Sequence, residues 1–262
     1  MPINIYRTEL DEILSLRSLF LYENNFQIRY NACHERGWSD SYIIEYDGAR
    51  VGYSAIKGAE NLESRDTIFE FYLIPPYKQL YSIAFEELLR IADVRFIECQ
   101  SNDQLLTSIL YQFGNKIQAD TILFDDSTIT FVNKEGVVFR SRHEDDKVFE
   151  HKREPVGEYV LEWNNEIIAT GGFALHYNIP FADLYMEVDE FYHRKGFGSY
   201  LVQELKRECY LSGRVPAARC SIDNAASKAT LLKAGLKIAG YMLLGSVTQE
   251  VSSNHSNSEN NR

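Results

Sequence analysis

The apolar and polar positions of the chain follow the same order of patterns in its two halves. In the first half, two runs that alternate apolar and polar residues flank Asp47-Gly48, a dipeptide typical of tight hairpin turns. A helix within the first 20 residues precedes this hairpin, and a strand, a helix, a strand and a helix follow it. The hairpin strands and the later elements are predicted at residues 41–46, 50–57, 67–74, 82–92, 94–99 and 105–113.

Local signals add detail to this half. The helix at 82–92 is expected to turn its apolar side chains inward, namely Ile83, Phe85, Leu88, Leu89 and Ile91. Gly114 follows the last helix, where glycine readily takes the left-handed conformation. The following segment, 120–155, holds two strand-like runs and then a charged stretch that we expect to form a short helix.

The second half repeats the order around a hairpin turn at Asn164-Asn165. Its strands and helices are predicted at 159–163, 167–177, 184–188, 199–211, 215–222, 224–235 and 236–244. The shared order predicts an internal duplication of one α/β unit. We therefore expect domains at 1–130 and 131–250, and the polar segment 251–262 is expected to be a disordered tail.

Composition and charge exclude several classes of protein. The 262 residues are 45% hydrophobic, enough for two modest cores, and the net charge of -11 opposes binding to nucleic acid. No apolar stretch is long enough for a membrane span, and the charged first 17 residues do not resemble a signal peptide. The four cysteines (Cys33, Cys99, Cys209 and Cys220) lack metal-ligand spacing. We expect a metal-free cytoplasmic protein with reduced thiols, as a monomer or homodimer.

The run His193-Arg194-Lys195-Gly196-Phe197-Gly198 carries the candidate chemistry. It joins the strand at 184–188 to the helix at 199–211, so unpaired backbone N–H groups of the helix start lie beside basic side chains. Glycines permit close approach of an anion, and the helix dipole adds roughly 0.3–1 kcal/mol. The alternative is a glycine pair that only permits a tight turn. Neither a Walker loop nor a complete dinucleotide fingerprint is present.

This run resembles the acetyl-CoA-binding motif of the GNAT superfamily, Q/R-x-x-G-x-G/A, with His193 at the Q/R position. A second resemblance, NAASKATLLKAGL, matches the family's later segment at Asn224, Ser227, Lys233 and Gly235. The whole chain is similar to two-unit bacterial members, although YKQLYSIAF in the first half has no glycine, so that half is expected to be degenerate. The resemblance implies acetyl-CoA contacts from Val188, His193, Arg194, Lys195, Gly196, Phe197, Gly198, Ser199, Asn224 and Ser227.

The resemblance also implies an α/β (α+β) fold of tandem units. Each unit would be a mixed, mostly antiparallel sheet flanked by helices, with a splayed central strand pair. In the second unit the pair is 184–188 and 215–222. The implied activity is N-acetylation of a primary amine on a small molecule or peptide by direct attack on acetyl-CoA. Glu187 is the candidate general base, with Tyr185 on the same strand face.

Several alternatives stay open on the sequence alone. The position of Glu187 is equally compatible with an exposed surface side chain. That of His176 is compatible either with the lining of the cleft or with the edge of the sheet. Leu231 stands where the family has its tyrosine acid, for which Tyr192 or Tyr200 are substitutes, so a catalytically silent acyl-CoA-binding protein is the alternative function. Cys220 offers a covalent route, although a packed strand cysteine is favoured.

Overall fold

The computed structural model describes residues 2–24, 26–27, 30–59, 61–175 and 177–248. His176 and the tail predicted at 251–262 lie outside the described residues. The chain forms two compact units: the first consists of the described residues within 1–26, 32–119 and 242–262, and the second of those within 27–31 and 120–241. The sequence predicts a single domain boundary near residue 130. It does not predict that the described residues from 242 onward belong to the first unit.

The first unit contains a sheet in the order β1-β2-β3-β4-β5. All neighbours are antiparallel except β4 and β5, and residues 242–246 pair antiparallel with β5. Phe71, Phe85 and Leu88 lie in the main core of this unit. The elements are β1 (Ile3–Thr8), α1 (Leu10–Glu23), α2 (Tyr30–Glu35), β2 (Ser39–Tyr46), β3 (Ala49–Lys57), β4 (Thr67–Leu73), a 3-10 turn (Pro75–Leu80), α3 (Tyr81–Ile91), β5 (Phe96–Gln100) and α4 (Gln104–Phe113).

The hairpin prediction is confirmed, and three details of the first half differ from the prediction. Asp47 and Gly48 both have positive φ, as a tight hairpin turn requires. Strand β1 was not predicted, and α1 follows it. Ile83 and Ile91 are 59% and 44% exposed, because α3 buries a narrower stripe. Gly114 is extended (φ -103°), since the chain enters a strand directly, and a Cβ there would lie 2.5 Å from the Leu110 carbonyl oxygen.

The second unit has its strands in the order β6-β11-β10-β9-β8-β7, with helices α5 and α6. Leu201, Leu205 and Cys209 of α5 are buried, as predicted. The charged stretch after β7 contains no helix in its described residues, contrary to the prediction. Strand β6 begins, and strand β12 ends, with residues of the first unit. The elements are β6 (Gly114–Asp126), β7 (Val137–Ser141), β8 (Tyr159–Trp163), β9 (Glu166–Ala174), β10 (Phe181–Val188), a 3-10 turn (Glu190–Tyr192), α5 (Phe197–Leu211), β11 (Val215–Ser221), α6 (Ala225–Lys233) and β12 (Leu236–Val247).

Each unit contains a strand pair that separates, as predicted. Strands β10 and β11 pair in parallel from Phe181 to Asp183 only, after which β10 continues to Val188 against β9 alone. In the first unit, β4 and β5 pair only at Thr67 and Ile68. We call the opening between β10 and β11 beyond Asp183 the slot, and its end at Asp183 the closed end.

Candidate functional site

The slot is lined by an unpaired strand edge. The Asp189 amide donates to the Ile168 carbonyl, so the odd-numbered residues of β10 bond to β9. The Val215 amide donates to the Pro180 carbonyl, so even-numbered residues face β11. Beyond the closed end, the backbone groups of Leu184, Met186 and Val188 therefore face the slot. Such an edge can bind an extended ligand through strand-like hydrogen bonds.

The open end of the slot leads to the glycine turn. The Asp189 carboxylate accepts from the Phe191 amide (3.0 Å) and fixes the 3-10 turn. Arg194 and Gly196 then take positive φ values of 59° and 81°, which brings the first turn of α5 against the slot. A Cβ at Gly198 would lie 3.1 Å from Thr230 Cγ2, so glycine keeps the backbone amides of this turn accessible.

Two lysines, Lys134 and Lys233, place ammonium groups beside this turn. Lys134 Nζ donates to the Lys195 carbonyl and lies 3.1 Å from the position of a Cβ on Gly196; Lys233 Nζ lies 3.6 Å from the same position. Together with the start of α5, these cations form a site suited to phosphate groups. Lys134 was missed because it precedes the run that begins at His193 by 59 residues (193 minus 134) and lies in a loop without a motif, so no sequence signal marks it.

A cleft of about 1290 Å³ extends from the slot, at the end of β10, to Lys233. Its walls are the end of β10, the glycine turn, the starts of α5 and α6, and residues of the 149–154 segment. Among the described residues, neither Lys195 nor Tyr185 lines the cleft; the Tyr185 hydroxyl instead lies 2.6 Å from where a Cβ on Gly172 would be. The predicted residues that do line it are Glu187, Val188, His193, Arg194, Gly196, Phe197, Gly198, Ser199, Asn224 and Ser227.

Several of these side chains hold the backbone in place. Asn224 accepts from the Ser227 amide (3.0 Å) and so begins α6. Ser199 Oγ donates to the Thr230 carbonyl (3.3 Å), which ties α5 to α6. His193 Nε2 donates to the Val188 carbonyl (2.8 Å), one of the groups that face the slot. Phe197 packs against Trp163 with ring centroids 5.6 Å apart. The backbone of the turn, more than these side chains, faces the cleft.

Glu187 fastens a neighbouring segment to β10. Its carboxylate accepts from the backbone amides of Lys152, Arg153 and Glu154 at 2.9, 3.0 and 2.9 Å. Burial alone would raise the pKa of Glu187, but these amides outweigh it and lower the pKa. We call residues 152–154 the anchored segment. Glu187, whose carboxylate holds this segment, is a weaker base than an ordinary glutamate because its pKa is lowered. No sequence motif indicated this contact.

The anchored segment presents a second carboxylate, that of Glu154. Glu154 lines the cleft, and among the described residues its side chain makes no hydrogen bond or ion pair. Partial burial and then the charge of Asp183 raise its pKa, while Arg219 and His151 oppose the rise. At the closed end of the slot, Arg219 Nε pairs with Asp183 (3.1 Å). Glu154 was not singled out from the sequence, because its importance depends on this folding back of the segment.

The remaining candidates are placed as follows. Leu231 is buried and offers no proton. Burial raises the pKa of the Cys220 thiol, which favours the unreactive protonated form. Tyr192 donates its hydroxyl to the Glu166 carboxylate (2.5 Å). No group of three or more potential metal-ligating side chains occurs among the described residues, and no helix in the same part of the chain has the length and apolarity to cross a membrane.

Comparison with known families agrees with the geometry in both halves. Residues 123–236 match the model described as "Acetyltransferase (GNAT) family", and residues 9–127 match that described as "Acetyltransferase (GNAT) domain". No curated protein matches the chain in sequence.

Solved structures share the fold over nearly the whole chain. An acetyltransferase from the GNAT family of Colwellia psychrerythraea has a TM-score of 0.71 at 11% identity, covering 94% of this chain and 100% of its own. A tandem GNAT protein from the clavulanic acid biosynthesis pathway has a TM-score of 0.56 at 10% identity, covering 94% and 98%. A family model matches each half of the chain, and the structure contains the splayed strands and the glycine turn. The chain therefore belongs to the GNAT acetyltransferase family as a tandem member.

Proposed function

We propose that the protein transfers the acetyl group of acetyl-CoA to a primary amine of a small molecule or peptide, by direct attack. The observation that carries this proposal is the continuity of the slot with the phosphate-type site. The unpaired edge of β10 leads straight from the closed end to the start of α5. An extended ligand with a phosphate group at one end fits both parts of this arrangement.

The residues present fit acetyl-CoA. The pyrophosphate would lie against the first turn of α5, with the ammonium groups of Lys134 and Lys233 opposing its charge. The backbone groups of Met186 and Val188 would hold the amides of the extended arm. When bound, acetyl-CoA would supply an activated thioester towards the closed end of the slot. In a protein of net charge -11, these two lysines bring positive charge to the place where an anion would bind.

The catalytic residues stay predictions. Glu187 and Tyr185 share one face of β10, as the sequence indicated, and Glu187 lines the cleft. The three amide hydrogen bonds of Glu187 favour a role in positioning the anchored segment. We further propose a cytoplasmic, metal-free protein that does not bind nucleic acid, as the composition indicated.

One observation favours a second candidate function, a catalytically silent acyl-CoA-binding protein. Leu231 fills the place of the family's tyrosine and is 4% exposed, so this position cannot protonate a leaving thiolate. A thiol has a pKa of about 8.5 by analogy with cysteine, so its thiolate can leave without an acid. The missing tyrosine therefore removes an acid that would assist the reaction but that a thiolate leaving group does not require.

Two measurements on the purified full chain separate the candidates. Calorimetric titration with acetyl-CoA tests binding, and release of free CoA thiol tests turnover with spermidine, lysine, kanamycin and triglycine. Binding with amine-dependent release supports the enzyme. Binding without release for any amine supports the silent protein, and absence of binding contradicts both.

A further inference from the structure

The carboxylates of β10 lie on the face opposite α5. Leu184 and Met186 pack in the core cluster that contains α5, so the alternating residues Asp183, Tyr185 and Glu187 face the other way. The anchored segment covers this second face through its bonds to Glu187. An amine that approaches the closed end from the side away from α5 therefore meets the anchored segment.

Glu154 is the group that this segment offers to the closed end. Its carboxylate interacts electrostatically with Asp183 and Arg219, which form the ion pair at that end, and with Glu187 further along β10. Of these, Asp183 is neutralised by Arg219 at 3.1 Å, and Glu187 is occupied by backbone amides. Among the residues that the structure describes, the Glu154 side chain has no such partner, and the residue is solvent-accessible. It can both accept a proton and pass it to water.

We propose that Glu154 is the general base that accepts the proton of the attacking amine, and that Glu187 is a positioning residue that acts through the anchored segment. This inference rests on the proposed function. The ammonium group of the acceptor gives one proton to the Glu154 carboxylate, and the nitrogen lone pair then forms the new C–N bond. The C–S bond breaks, the sulfur takes the second proton from nitrogen, and Glu154 releases the first proton to solvent.

The electrostatics agree with this division of roles. A base must be a carboxylate before the reaction, yet its strength increases as its pKa approaches the working pH. Partial desolvation and the neighbouring Asp183 raise the pKa of Glu154, whereas the three amides lower that of Glu187. The charged groups facing Glu154 are Asp183 and Arg219 of the two strands, Glu187 of β10, and His151 beside the anchored segment.

The test compares Glu154→Gln, Glu187→Gln and the matched control Glu144→Gln, an exposed residue of the same connection. At pH 7, Glu154→Gln should lower kcat about 100-fold or more at an unchanged KM for acetyl-CoA, with rate recovering as pH rises towards the pKa of the amine. Glu187→Gln should raise the KM for the amine but keep the acidic limb of the pH profile. The control should match the parent protein.

A second readout does not depend on turnover. In NMR titration of protein labelled with 13C at the glutamate carboxyl carbons, the signal lost in Glu154→Gln should titrate above that lost in Glu187→Gln. The reverse order would overturn the proposal, as would an acidic limb that disappears in Glu187→Gln but persists in Glu154→Gln.

The outcomes separate the base role from the proposed function. If the parent protein releases CoA with an amine and Glu154→Gln behaves identically, the base role alone is refuted. If the parent protein binds acetyl-CoA but releases no CoA with the whole amine panel, the proposed function fails, and the base role fails with it.

Discussion

Substituting Gly198 by glutamate should abolish acetyl-CoA binding while the fold persists. The new Cβ would lie 3.1 Å from Thr230 Cγ2 and 3.4 Å from Met186 Cε, so the side chain must extend into the cleft. Its carboxylate would then oppose the pyrophosphate charge. Two like charges at about 4 Å repel by about 4 kcal/mol at an effective dielectric constant of about 20, which corresponds to a loss of affinity of about 1000-fold.

Calorimetric titration with acetyl-CoA measures this loss directly, and circular dichroism checks that the variant is folded. The matched control is Ile83→Glu on α3 of the first unit, where the corresponding segment has no glycine. Because Ile83 is 59% exposed, this control should change neither stability nor affinity. If folded Gly198→Glu binds acetyl-CoA like the parent protein, the phosphate site lies elsewhere and the proposed position of the cofactor is wrong.

Three further predictions concern buried groups. Glu70→Gln should cost about 3–5 kcal/mol in urea unfolding at pH 7, because it removes the buried carboxylate that pairs with Arg17 at 3.1 Å. The pKa of Glu70 is lowered to about 2 in the folded state. Its contribution to the free energy of unfolding is therefore complete above its unfolded pKa near 4.5 and should be lost as the pH falls towards 2. Glu70→Gln should flatten this decline in stability. Burial raises the pKa of Asp103 to about 7, so the folded state keeps a proton that the unfolded state loses near pH 4. The free energy of unfolding should therefore fall as the pH rises from about 4 to 7. Asp103→Asn, which keeps the helix cap, should remove that fall in unfolding titrations. Cys220→Ala should keep amine-dependent CoA release, and mass spectrometry should find no acetylated enzyme in the absence of amine.

The parts of the fold that sequence predicted are those with local causes. Asp47-Gly48 and the Gly196 turn need backbone conformations that few residues adopt, so their identity marks their place. The helix that was predicted in the charged stretch after β7, and that the described residues there do not form, shows the limit of the method. The connection from residue 142 to residue 158 is held by the Glu187 carboxylate, a partner far along the chain, and its own pattern of charges carries no record of that partner.

The residues of the candidate site also fall into two groups, those that the sequence marks and those that only the fold brings together. The glycine run was visible because strand, turn and helix are consecutive in sequence. Lys134 and Glu154 were not, since each reaches the site from a different connection and only the fold brings them there. A single lysine or glutamate in a loop has no pattern that separates it from the many on the surface.

The two units show why similar folds differ in what they can bind. Both contain a long strand that separates from its parallel neighbour and carries a glutamate. In the first unit, Glu70 is fully buried and bonded to Arg17 (3.1 Å), His34 (2.9 Å) and Tyr53 (2.9 Å), so its acceptor capacity is used by the core. In the second, Glu187 is bonded by backbone amides at the surface and leaves a cleft beside it. In the first unit, the side chains bonded to Glu70 close the opening between the strands and stabilise the fold. In the second unit, the Glu187 carboxylate holds a covering segment in place and leaves room for a substrate.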